Sequence, residues 1–112
     1  MKYAMLIHYK PGYTDALSED EQKAVFAEYR ALAEDRRARG SAQLQGAETA
    51  ATVRVRDGQT LTTDGPYAEA EEVFGAYFIF EVDNLGEVIE LAARVPAARL
   101  GGAIEVRPLV ER

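Results

Sequence analysis

The chain has no cysteine, no tryptophan and a single histidine, His8. Without thiols there are no disulfides, thiolate nucleophiles, zinc ribbons or iron–sulfur ligands, an absence that suits a reducing compartment. One imidazole per chain likewise excludes a His-rich metal centre. Positive charge is in short supply: 13 Lys and Arg stand against 19 Asp and Glu, a net charge of −6. The clustered cations that nucleic acid or an anionic membrane would require are therefore missing. No apolar run approaches the roughly 18–20 residues of a membrane span, and the stretch Met1–Lys10 lacks the apolar segment of a secretory signal. A cytoplasmic protein with no nucleic-acid or membrane partner and a small organic ligand is the expectation.

What is present suffices for one folded unit. The 112 residues, 47% hydrophobic and 29% charged, fit a single domain over residues 1–112 with a packed core. Lys2–Tyr9 reads as a strand, with Tyr3, Met5, Ile7 and Tyr9 on one face and Ala4, Leu6 and His8 on the other. Ser18 and Glu21 form a capping box that opens a helix expected over Glu19–Arg39. Val25, Phe26, Tyr29, Leu32 and Ala33 would be its buried stripe, Arg36, Arg37 and Arg39 its last turn, and Gly40 its terminal cap. A weaker strand follows at Ser41–Glu48. Asp57-Gly58 between Thr52–Arg56 and Gln59–Thr63 is a strong hairpin signal, because both turn residues need positive φ. The run Ala76–Val82, almost entirely aromatic or β-branched, reads as a buried central strand. Asn84 and Glu87 cap a helix at Leu85–Val95, with Leu85, Val88, Ile89, Ala92 and Val95 inward. Pro96–Gly102 reads as a turn or short helical piece, and Ala103–Val110 as an edge strand, since Pro108 cannot donate to a ladder.

The order β-α-β-hairpin-β-α-β is that of an α+β ferredoxin-like sandwich with an antiparallel sheet. The two strands that are apolar on both faces would be central and the two alternating ones at the edges. Both helices would then cover one face, leaving the other, with Leu6, His8 and either Phe78 and Phe80 or Tyr77 and Ile79, to be sealed by a second copy. A homodimer is expected, with a cleft between the sheet and the loop that begins at Asp64.

The stretches Thr63-Asp64-Gly65-Pro66-Tyr67-Ala68-Glu69 and Phe74-Gly75-Ala76-Tyr77-Phe78-Ile79-Phe80-Glu81-Val82 carry a family pattern. With the Met-Lys-Tyr start, the Ala51–Gly58 hairpin, Pro96-Ala97-Ala98-Arg99 and Ile104–Pro108, the chain resembles the YCII-related proteins of the DGPF subgroup along essentially its whole length. The resemblance implies a dimeric α+β barrel and small-molecule chemistry without a cofactor, of an acid–base kind centred on His and Asp. It also implies a link to extracytoplasmic-function sigma-factor systems. Tyr67 stands where the subgroup has Phe, and Ala70-Glu71 where it has Thr-Lys, which replaces a cation by an anion.

Five residues stand out as candidates. Asp64, held on a rigid turn, could act as a general base or orient an imidazole, or could merely accept hydrogen bonds from its own turn. His8 could shuttle a proton or be a backbone-bonded histidine. Arg107 could anchor a carboxylate or pair with Glu105 or Glu81. Arg99 could meet an anion or be solvated, and Tyr67 could offer a phenol to a ligand or plug apolar surface. Glu69, Glu71 and Glu72, with Asp64, could hold a hard divalent cation through oxygen ligands, or simply be a solvated acidic segment, and no metal site is expected. Three readings follow: a cofactor-free lyase or isomerase acting on a small acid or lactone, a non-catalytic ligand-binding or regulatory module, and a cofactor-free oxygenase of the dimeric-barrel type.

Overall fold

A computed structural model describes residues 1–68 and 70–112. Six strands and three helices follow one another as β1 (Lys2–Tyr9), α1 (Glu19–Ala33), β2 (Ala38–Gln43), β3 (Ala51–Arg56), β4 (Gln59–Asp64), β5 (Val73–Glu81), α2 (Leu85–Ala93), α3 (Pro96–Arg99) and β6 (Ala103–Pro108), with a single 3-10 turn at Ala47–Thr49. The main sheet is antiparallel, in the order β2-β5-β1-β6. The doubly apolar strands β1 and β5 are thus central, as their composition demands, and the fold is a ferredoxin-like α+β sandwich. Among the described residues no helix is long and apolar enough to cross a membrane.

Alternation along the central strands sets the core. Tyr3, Met5 and Ile7 of β1 and Phe78 and Phe80 of β5 are buried toward the helices. Against them pack Leu32 of α1, Val88, Leu91 and Ala92 of α2, and Val95 and Ala97 beyond it. The register pairs Leu6 with Tyr77 and Ala4 with Ile79. It is therefore Tyr77 and Ile79, not the two phenylalanines, that share the opposite face with Leu6 and His8. The helical stripes are narrower than their spacing suggests. Phe26 is 61% exposed, with the Arg30 guanidinium 5.2 Å above its ring. Leu85 and Ile89 are also exposed, and Leu91 takes the inward place on α2.

The first helix is shorter than expected, and the cause is specific. Its start is the capping box, with Ser18 Oγ accepting from Glu21 N at 3.1 Å and Glu21 Oε1 accepting from Ser18 N at 3.0 Å. It stops at Ala33 because Asp35 captures the chain: its Oδ1 accepts from Arg37 N and Nε, both at 2.9 Å, and Arg37 Nη1 donates to Glu87 Oε1 at 2.8 Å. Arg37 holds the Asp35 carboxyl far below the usual carboxylate range and lowers Glu87 as well. The chain turns there, and Ala38 pairs with Phe80 as β2 begins. Arg37, Arg39 and Gly40 consequently belong to a turn and an edge strand, not to a helix end. The strand expected at Ser41–Glu48 begins earlier and ends earlier, at Ala38–Gln43, where it pairs with β5 from Ala38↔Phe80 to Gln43↔Ala76.

The strands β3 and β4 form a separate two-stranded ribbon through the register Ala51↔Asp64 to Arg56↔Gln59. Its turn is the expected one, with φ of 52° at Asp57 and 75° at Gly58. Val53, Val55 and Leu61 remain exposed on it. The molecule is a slab, 46 × 42 × 19 Å, with a radius of gyration of 16.0 Å against about 13 Å for a compact chain of this length. A thickness of 19 Å accommodates one sheet and one layer of helices.

Candidate functional site

A concavity of about 530 Å³ lies on the helical side, between α1, the edge strand β2 and the turn that follows β1. Such a volume falls in the usual range for small-molecule sites. Pro11 and Gly12 end β1 and fold the next residues back, so that Tyr13 stacks on Tyr9 with ring centroids 4.5 Å apart. The Tyr13 and Tyr29 hydroxyls share a hydrogen bond of 2.7 Å. Tyr29 thereby fixes the turn to α1, as does Gln22 Nε2, which donates to the Thr14 and Leu17 carbonyls at 3.1 and 3.2 Å. Phe26, Arg30, Gln43 and Phe78 complete the walls that matter to its chemistry.

Gly75 makes room for this arrangement. Between Ile7↔Ala76 and His8↔Phe74 the β1–β5 register slips by one residue, so Gly75 is the unpaired member of a β-bulge. A Cβ built at Gly75 would collide with Cζ and Oη of Tyr9. The bare backbone is what allows the Tyr9 ring to lie over the sheet.

Burial pushes the Tyr29 phenol well above the ordinary tyrosine range, and its hydrogen bond with Tyr13 adds to the rise. Burial raises Tyr9 too, with Tyr13 adding to the effect and the Gln43 side chain opposing it. Both phenols therefore keep their protons at neutral pH. The cleft offers hydroxyl groups that donate and accept hydrogen bonds, in apolar walls, and no carboxylate or imidazole among the described residues that line it.

The residues singled out from the sequence lie elsewhere. His8 is on the uncovered sheet face, with Nε2 3.5 Å from Glu105 Oε1 and its ring 5.8 Å from that of Phe74. Asp64 ends the ribbon strand β4 opposite Ala51. Among the described residues no hydrogen bond or ion pair joins it to His8, whose carboxylate neighbour is Glu105. Arg107 Nε lies 3.7 Å from Glu105 Oε2, so it shares that carboxylate group with His8. Arg99 Nη2 donates to Glu28 Oε2 at 2.6 Å across α3 and α1, beside a smaller hollow of about 290 Å³. Tyr67 is 73% exposed, with the Arg54 guanidinium 4.9 Å from its ring. Of the acidic segment, Glu69 lies outside the described residues, and Glu71 approaches Lys10 at 3.9 Å. Among the described residues no group of three His, Asp or Glu side chains could hold a metal ion.

From sequence alone, Tyr29 counts as part of a helical stripe and Tyr9 as a strand residue, while Tyr13, Arg30 and Gln43 carry no signal of their own. One clue was available. A phenol inside an apolar stripe needs a partner for its hydroxyl, and Tyr29 is the only residue of the expected α1 stripe with such a group.

Comparison with known proteins bears on the chain as a whole. It is 31% identical over 114 residues to an uncharacterized protein of Rhizobium meliloti (strain 1021), an alignment covering 97% of this chain and 92% of the relative. The YCII-related domain matches residues 1–112. With that match spanning every residue, and the sandwich topology in agreement, the chain belongs to the YCII-related family.

Proposed function

We propose that the protein binds a small, planar organic molecule in the tyrosine cleft, in the manner of a ligand-binding module. The observation that carries the reading is the Tyr9–Tyr13–Tyr29 group: stacked and hydrogen-bonded phenols, those of Tyr9 and Tyr29 raised by burial, that line a cavity of about 530 Å³. Protonated phenols are poor bases at neutral pH, which favours binding over proton abstraction. The test is thermal denaturation with 2-naphthol as a neutral aromatic probe. A ligand at a hundred times its Kd adds about 2.7 kcal/mol to stability, so the midpoint should rise. Tyr13→Phe removes one hydrogen-bond partner and should weaken binding about fivefold, whereas Asp64→Asn should leave it unchanged. Indifference of the wild-type protein to 2-naphthol and to related aromatic and lactone probes would remove the reading.

The functional unit is a homodimer joined through the uncovered sheet faces. Leu6, Tyr77 and Ile79 lie together on that face, and a stable complex would bury roughly 800 Å² per partner. Such a dimer would enclose His8, Glu105 and Arg107 between the sheets. Light scattering at micromolar concentration should give twice the chain mass. Ile79→Arg, which would bury an unpaired charge at a cost of about 2–5 kcal/mol, should give the single-chain mass. A wild-type monomer at that concentration refutes the dimer.

A further inference from the structure

The charge around the cleft is unlike that of the rest of the molecule. The protein carries 19 acidic residues and a net charge of −6, yet among the described residues that line the cleft none is acidic and Arg30 is the one charged side chain. Among the described residues no carboxylate forms an ion pair with Arg30. Its guanidinium instead rests 5.2 Å from the centroid of the Phe26 ring. A guanidinium held on an aromatic face keeps its planar fork of donors available.

The other walls select for shape. The Tyr9–Tyr13 stack presents flat aromatic surface, and Phe26 and Phe78 add apolar area. Hydrogen-bonding groups capable of reading a ring substituent are the Tyr13 and Tyr29 hydroxyls and the Gln43 amide. A single cation among the described lining residues suits a monoanion of planar geometry better than a phosphate, which is usually held by several donors or cations.

Resting on the reading that this cleft is the ligand site, we infer that its ligand is a planar aromatic carboxylate, with the ring against the Tyr9–Tyr13 stack and the carboxylate paired with Arg30 at the mouth. A bidentate, charge-assisted pair with the guanidinium supplies the preference for the acid over a neutral molecule of the same shape.

The experiment compares 2-naphthoate with its neutral isostere 2-naphthamide by titration calorimetry on the wild-type protein and on Arg30→Gln. The wild type should bind the acid at least about tenfold more tightly than the amide, as expected of a charge-assisted hydrogen bond. Arg30→Gln should abolish that preference, bringing acid and amide to the same affinity. Arg30 is exposed, so the variant should keep the wild-type unfolding midpoint, and Arg30→Lys should recover part of the preference. Equal affinity of the wild type for acid and amide overturns the carboxylate inference but leaves the cleft as an aromatic site. A preference that survives in Arg30→Gln also overturns it. Failure of both compounds to bind the wild type overturns the cleft reading itself.

Discussion

Phe80→Ala lowers the free energy of unfolding by about 3–5 kcal/mol, measured by urea denaturation, as expected when an aromatic side chain is deleted from a core that cannot fully collapse. Phe80 is 0% exposed and sits on the central strand β5, paired with Tyr3 on one side and Ala38 on the other. Its ring stacks on that of Phe78 at 5.8 Å. Domains of this kind have about 5–15 kcal/mol in total, so the variant should be largely unfolded at modest urea. Ile89→Ala on the exposed side of α2 should stay within about 0.5 kcal/mol of wild type. A loss below about 1 kcal/mol at Phe80 would contradict the placement of the core.

Gly75→Ala should have the largest effect on ligand binding. The added methyl collides with the far end of the Tyr9 ring, which can swing away, so the stability cost is that of overpacking, about 1–3 kcal/mol. The cleft suffers more, because a displaced Tyr9 no longer stacks on Tyr13 and one aromatic wall is lost. Binding of 2-naphthol should weaken more than about tenfold, comparable to the loss of a favourable ring-on-ring contact and its buried area. In a Tyr9→Ala background the same Gly75→Ala change should cost little further stability, and the resulting coupling energy measures the collision directly. Additive effects of the two substitutions would mean that Gly75 does not act through Tyr9.

The sheet order was legible because apolar residues on both faces mark a strand with neighbours on either edge. Lys2–Tyr9 and Ala76–Val82 carry them at odd and even positions alike, and these two strands are the central pair of the sheet. The end of α1 was misread for an equally physical reason. Arg36, Arg37 and Arg39 before Gly40 look like a helix terminus, but the carboxylates of Asp35 and Glu87, the latter far along the chain, divert Arg37 into a turn. His8 was legible as a residue of the uncovered face. Its neighbour Glu105 depended on strand register, since Leu6 opposite Glu105 and His8 opposite Ala103 follow only once β1 and β6 are paired. Of the tyrosine cleft only the Tyr29 phenol within an apolar stripe left a trace. The cleft draws a strand end, a turn, a helix and an edge strand to one place, and Gly75 matters there only because a bulge sets it beneath Tyr9.

The ribbon of β3 and β4 joins two strands that already lie side by side, since Gln43 of β2 pairs with Ala76 of β5. Everything between Gln43 and Val73 is therefore an elaborated connection between adjacent neighbours, a link that a few residues could make. The pairing of β2 with β5 is thus set by their own register and not by the ribbon, so a change in the length of the connection adds only a small loop-closure cost to the sandwich.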